Sequence, residues 1–549
     1  MAEQVINNRI KSRPTGGRGI LQQKLDTPVG YLLVIMLAIS LGMVIGIGGL
    51  LVGAVAIGAA VGIPFIILFA LNIKVGSVAL FIFAFTILGV KRFIPQVPVG
   101  IVLDAVSVSL IFGVLIQLVR NRDFSILFSA VGITIGIWVI YNIIQVLNPV
   151  AASRMAWLYT VRSFALITLF YYVIAYALDD IRFVYIMIGT WLIIAFLGSL
   201  YAYNQEYVGL RGFEFAWLAA DEDLFNRLLQ LGVIRKWSFF SGPEVFGFVM
   251  SYSAIVCAVL ALGPYPKWLR IILLIVTIPF LHSMLFSGTR AAYLLPPVAG
   301  VFYILTRLSL KSVVAGAILG AGLLFLINLP TDNTLIVRFQ SAFAPEDDAS
   351  FEVRQVNLAF IKPFIQSNPL GGGLGSTGIW GQRFSPQSPL SQFPPDSGFV
   401  RIAVEVGWIG LIIFTAFLLT TVYFGIRHYF LMRDPVLKNI QLTMLLVVIA
   451  LIVANFPQEA ITSPPNNVVF LFAVAVIANL YRMDKNYGGV PVIGTEPTAK
   501  VPSVVGSPNV GMPPDSMYDE ETLNKLSEPV PTFSVEPDTT EKKTYKREQ

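Results

Sequence analysis

Apolar residues in this chain do not alternate with polar ones at the spacing of a half-buried helix or strand. They run almost unbroken for about 20 residues at a time, and short polar clusters separate the runs. A run of that length crosses the hydrocarbon core of a bilayer as an α-helix, which satisfies its backbone groups internally. The pattern predicts an all-α, polytopic membrane bundle of about 14 transmembrane helices. They fall near residues 29–48, 49–71, 76–90, 99–119, 124–147, 158–178, 183–203, 241–262, 268–287, 290–306, 312–329, 396–426, 438–457 and 465–482. Four polar stretches interrupt or flank this series: 1–28, about 204–240, about 330–395, and 483–549.

Composition agrees with this picture. Hydrophobic residues make up 56% of the 549, charged residues only 13%, and the mean hydropathy is +0.74. Soluble domains carry roughly twice that share of charge. The first 28 residues are basic, and no small-residue cleavage site follows the first apolar run, so no cleavable signal is expected. The one cysteine, Cys257, lies inside an apolar run and reads as a small packed hydrophobe. With two histidines and one cysteine the chain cannot build a His/Cys metal site. The stretch 483–549 holds nine prolines and few large apolar residues, and reads as a disordered cytoplasmic tail.

Charge distribution predicts orientation. Arg9, Lys11, Arg13, Arg18 and Lys24 precede the first span, and alternate connections then carry Lys74, Arg120 and Arg122, Arg182, Lys267 and Arg270, Arg307 and Lys311, then Arg427, Arg433 and Lys438. With fourteen spans these all fall on one side, which the positive-inside rule makes the cytoplasm, with both termini on it. Lys91 and Arg92 are the exception, on the opposite face. The long stretches 204–240 and 330–395 then face outward. Residues 224–237 have apolar positions at helical spacing, consistent with an interfacial helix, and 351–365 reads as a helix within the second loop.

The outward ends of the spans gather polar groups that the positive-inside rule does not call for. They include Arg235, Lys236 and Glu244, then His282 and Arg290. Glu352 and Arg354 follow ahead of a glycine run, and Asp396, Arg401 and Glu405 come last. Guanidinium forks match phosphate oxygens in two-point contacts, so a ligand bearing phosphates, such as a lipid-linked diphosphate, suits them. Plainer readings stand beside that one. Arg290 at a helix mouth also fits snorkelling or an ion pair, and Arg354 a solvated loop. Arg401 and Glu405 are spaced for an i,i+4 pair. "NPLGGGLGSTG" lacks the Lys-Ser/Thr ending of a nucleotide loop and reads better as close backbone packing. His282 reads as a buried polar residue with a neighbouring partner, and Asp104 and Arg162 as groups that pair inside the bundle.

The ordered set "FFSGPEVFGFVMSY", "SGTRAAYLL", Arg354 followed by "NPLGGGLG", and "RIAVEVGWIGLIIF" resembles the O-antigen ligase/polymerase (Wzy-like) superfamily. The resemblance covers roughly residues 235–414. It implies a metal-independent, cofactor-free transfer of a glycan from an undecaprenyl-diphosphate carrier to an acceptor sugar, on the outer face of the bacterial cytoplasmic membrane. Arg290 and Arg354 match the family's functional arginines and would bind the donor diphosphate, with Arg235 beside them. Ligases of the family carry a histidine just before the "EVGWIGL"-like helix, where this chain has Asp396-Ser397. That departure shifts the expectation from lipid A-core ligation toward polymerisation of repeat units into exopolysaccharide, capsule or O-antigen. Asp396 would then serve as the base, with Glu244 and Glu352 as rivals, or else as the N-cap of the helix that follows. The alternatives are an O-antigen ligase or protein O-oligosaccharyltransferase of the same superfamily, and a flippase for lipid-linked oligosaccharide. The implied partners are the lipid-linked glycan and the bilayer, with a chain-length regulator as a candidate and no nucleic acid.

Overall fold

The computed structural model describes residues 62–93, 99–230, 232–343 and 349–486, together with Leu32 and Met36. The expected first span, most of the second, the N-terminal tail and residues 487–549 lie outside the described residues. The described residues are 77% helical, and among them one two-stranded hairpin is the sole sheet. Eleven helices there are long and apolar enough to cross a membrane. Arg290–Arg307 is also 18 residues long, but it carries a cation at each end and Pro296 and Pro297 inside.

Burial sorts these helices into a centre and a periphery. Pro243–Ala261, Pro435–Ala454 and Asn466–Lys485 are 89, 83 and 83% buried, whereas Leu310–Ile327 has no buried residue at all. An apolar helix with Leu319 and Phe325 about three-quarters and two-thirds exposed would aggregate in water and is at home in lipid. Since lipid tails are as apolar as leucine, packing and interhelical hydrogen bonds must hold the centre together. Trp191 donates to Ser253 (2.9 Å), Tyr252 to Asn466 (3.0 Å), and Asn439 to the Val259 carbonyl (3.1 Å). Asp104 and Arg162 meet as expected, at 2.8 Å. Arg162 opens a π-helical turn, Arg162–Leu166, between Arg154–Val161 and Phe170–Ala177.

Three sequence expectations need correction. The span expected at 396–426 is two helices, Gly398–Glu405 and Gly407–Leu431. Gly407 has φ +74°, and a Cβ there would lie 2.0 Å from the Pro369 carbonyl oxygen, so the turn exists because the residue has no side chain. The amphipathic stretch 224–237 is helical only over Glu222–Leu228. It then turns through an antiparallel hairpin, Leu229–Gln230 with Val233–Ile234, and Gly232 supplies φ +73°. Leu228 packs with Leu218 and Trp237 instead of lying along a membrane face. The last helix, Asn466–Asn486, runs past residue 483, where the tail was expected to begin.

Gly407→Ala should therefore cost about 3 kcal/mol or more, because a strained φ and a backbone collision combine. Gly209→Ala is the control, with φ +104° but nothing within 4 Å of the added methyl. It should cost only about 1 kcal/mol. Thermal midpoints of the two variants in detergent decide this, and equal losses would contradict the collision.

Candidate functional site

The site is assembled where Pro243–Ala261, Lys267–Phe286 and Arg290–Arg307 bring one end of each helix together. The link Ser287-Gly288-Thr289 closes around Arg235. The Arg235 Nε donates to the Ser287 carbonyl (2.8 Å) and an Nη to the Thr289 hydroxyl (3.0 Å). That hydroxyl in turn donates to the Pro243 carbonyl at 3.2 Å. Gly288 has φ +59°, and a Cβ there would press on the Arg235 stem at 3.2 Å. The neighbouring Lys236 donates its backbone N–H to the Phe286 carbonyl (2.9 Å) and pairs with Glu206 (3.3 Å). One hairpin exit is thus fastened to the ends of three helices.

Arg290 stands in the first turn of its helix, after Thr289, and is exposed. That position is the positive end of the helix dipole, where a cation costs roughly 0.3–1 kcal/mol instead of contributing it. Helix stability therefore does not explain the residue. Arg290 lies within electrostatic range of both Arg354 and Arg235. A fourth arginine joins them. Arg338, on the short helix Thr334–Ser341, is buried, donates to the carbonyls of Gln230 and Val233, and reaches Arg235 with its charge. Burial lowers the pKa of Arg235; Glu244 and Tyr293 oppose the shift and Arg338 adds to it. Burial likewise lowers that of Arg338, against Tyr293 and Glu206. Tyr293 is buried between these cations and donates its hydroxyl to the Leu285 carbonyl (2.9 Å).

Of the three proposed carboxylates, Glu244 stands on the first turn of Pro243–Ala261, within electrostatic range of Arg235. Glu352 is two residues before Arg354 on Ala349–Ser367, so the two point to different sides of that helix. Asp396 is exposed, and among the described residues no hydrogen bond or ion pair links it to an arginine. It is not an N-cap either. Ser397 takes that place, accepting from the Val400 N–H at 3.5 Å, because Asp396 is turned back with its own N–H on the Pro394 carbonyl.

A second polar centre lies on Gly398–Glu405. Glu405 is fully buried and accepts from the Gly375 N–H (3.0 Å), the Thr377 hydroxyl (2.5 Å) and Arg401 (3.2 Å). The Gly372 and Gly373 N–H groups bond the carbonyls of Val404 and Glu405 at 2.8 and 2.9 Å. The glycine run thus packs its backbone on a carboxylate of its own chain, which is the plainer of its two sequence readings. Arg401 makes the expected i,i+4 pair and also bonds Glu459. Burial lifts the Glu459 carboxyl above its ordinary value, Arg401 opposing and Glu405 reinforcing. Ala349–Ser367 ties the two centres together, since it carries Arg354 and buries Ile361 against Val404.

Sequence reasoning missed Arg338, Glu459 and the job of Arg92. In "TLIVRFQSA" Arg338 shares a helix face with Leu335 and Ala342, the signal of a buried cation. Glu459 lies between the spans expected at 438–457 and 465–482. Arg92, the exception to the charge rule, donates to the carbonyls of Ser238, Phe240 and Ser241 and lies over Trp217 at 4.6 Å. It clamps the loop between Lys236 and Glu244. His282 has the neighbour expected of it, the Tyr203 hydroxyl at 2.7 Å. Neither a scan against protein-family models nor a search of curated proteins finds a match to this chain.

Glu405→Gln removes one charge from a buried pair and spoils one of three accepted bonds. The expected cost is about 3 kcal/mol, with faster protease cleavage in residues 371–378. Asp396→Asn should change neither. Limited proteolysis with thermal melting of both variants checks the contrast.

Proposed function

We propose that this chain is an integral-membrane glycosyltransferase that polymerises undecaprenyl-diphosphate-linked repeat units on the outer face of the bacterial cytoplasmic membrane. The observation that carries the reading is the gathering of Arg290, Arg354 and Arg235, with Arg338, at one end of an apolar helical bundle. The resemblance assigned the first two to the donor diphosphate, and their mutual proximity is what that role requires. In this reading fourteen spans put both termini in the cytoplasm, and 204–240 and 330–395 form the outward loops around the site.

The chemistry follows from the charges. An acceptor hydroxyl oxygen attacks the anomeric carbon of the donor sugar, and the bond from that carbon to the diphosphate oxygen breaks. The diphosphate leaves with more negative charge on its oxygens than it had in the ester, and fixed guanidinium groups stabilise that gain. A carboxylate takes the hydroxyl proton. Glu244 is the base we favour over Asp396 and Glu352, because its charge reaches Arg235 at the ends of the converging helices. A flippase would present its cations along a path open to both faces, and these four are confined to one end. Ligation remains the second reading within the superfamily, opposed by Asp396-Ser397 in the histidine position.

In a strain lacking its own copy, Arg290→Ala and Arg354→Ala should each cut polymer by about a hundredfold or more and leave single repeat units on the lipid carrier. Arg290→Lys should rescue poorly, because an ammonium cannot make the two-point contact. Gel profiles of polysaccharide and mass spectrometry of the carrier-linked pool give the answer. Normal polymer from Arg290→Ala at normal protein abundance would end this reading. Polymer that forms but stays on the carrier would favour ligation.

A further inference from the structure

The end of the bundle opposite Arg290 holds a second basic site. Three separate connections converge there on a cavity of about 600 Å³ lined by Arg270, Arg307, Lys438, Thr306 and Tyr429. Among the described residues, no Asp or Glu lines it. Asp434, the acid one turn before Lys438, is buried and accepts from the N–H groups of Val436 and Leu437 at 2.7 and 3.0 Å. Each cation is positioned. Arg270 Nε donates to the Ala261 carbonyl at the end of Pro243–Ala261 (2.7 Å), Arg307 lies 5.3 Å over Tyr303, and Lys438 lies 4.9 Å over Tyr429. Charges that only set topology need no such convergence. Arg182, on another connection at the same end, has its side chain 88% exposed.

The rim identifies the occupant. Leu262 and Phe430 line the same cavity and are 50 and 60% exposed, at the ends of helices long enough to cross a membrane. A phosphate group held by three cations, with acyl chains lying on exposed apolar side chains, is the chemistry of an anionic phospholipid at the bilayer interface. The geometry points to a structural binding site for such a headgroup, separate from the arginine cluster and independent of the function proposed for it.

The full chain, purified from mixed vesicles of phosphatidylcholine and phosphatidylglycerol in roughly equal amounts, tests this by native mass spectrometry of retained lipid. The wild-type protein should keep phosphatidylglycerol in preference, and Arg182→Gln should keep it too. The combined Arg270→Gln, Arg307→Gln and Lys438→Gln variant should lose the preference by at least about tenfold, and Lys438→Gln alone, should the combination fold poorly, by about threefold to fivefold. Inorganic phosphate at about 10 mM, in excess over a weak free-anion site, should displace nothing. Unchanged retention in the pocket variants, or equal loss in Arg182→Gln, would overturn the site. Displacement by phosphate would replace it with a free-anion site.

Discussion

The closure of Ser287-Gly288-Thr289 around the Arg235 guanidinium organises one end of the bundle. A buried cation is tolerated only when its donors are spent on fixed acceptors. Here the acceptors are a carbonyl and a hydroxyl from the link between two helices. The bond therefore does two things at once. It makes the burial of Arg235 affordable, and it sets where Arg290 emerges, since only Thr289 separates that turn from the helix it begins. Arg92 and Lys236 extend the same logic to the loop that leads into Glu244.

The second centre applies the opposite sign. Glu405 is a buried anion, and the glycine run supplies the donors that a longer side chain would have kept at a distance. Gly375 has φ +77°, and a Cβ there would meet the Thr160 hydroxyl at 2.4 Å, so the loop is pressed against two layers at once. Because Arg401 is shared between Glu405 and Glu459, neither carboxylate is neutralised alone. The position of the Arg354 helix depends on this centre through Ile361 and Val404. The two polar centres are coupled by packing through Ala349–Ser367.

Much of this was legible in the sequence, because the membrane imposes a simple code. Run length gave the long apolar helices found among the described residues, and the arginines at 235, 290 and 354 marked one end of the bundle. The polar partners of His282 and Arg162 could be anticipated as a class, since an isolated polar group in that setting is costly. What was not legible depended on tertiary contact. Nothing in "RIAVEVGWIGLIIF" distinguishes an ordinary helical glycine from Gly407, whose role is set by Pro369, nearly forty residues earlier. Asp396 looked like a base or a cap, and Ser397 takes the cap because the backbone turns one residue later than the carboxylate suggested. The partners of Arg338, the carbonyls of Gln230 and Val233, came into view only when its helix docked on the hairpin.

Clustered arginines are a liability before they are an asset. Two like charges about 10 Å apart repel by roughly 1–2 kcal/mol at the effective dielectric of a protein, less where water screens an exposed group such as Arg290. The carboxylates whose charges reach Arg235 and Arg338 are Glu244 and Glu206, and Glu206 is already engaged by Lys236. Among the described residues, Arg235 and Arg338 thus crowd two buried cations against those two carboxylates. Proteins keep strain and repulsion of this kind where a ligand relieves it. In the proposed function, a dianionic diphosphate held by Arg290 and Arg354 would be attracted by both. The gain grows as negative charge builds on the group, which is the condition for accelerating its departure instead of merely binding it.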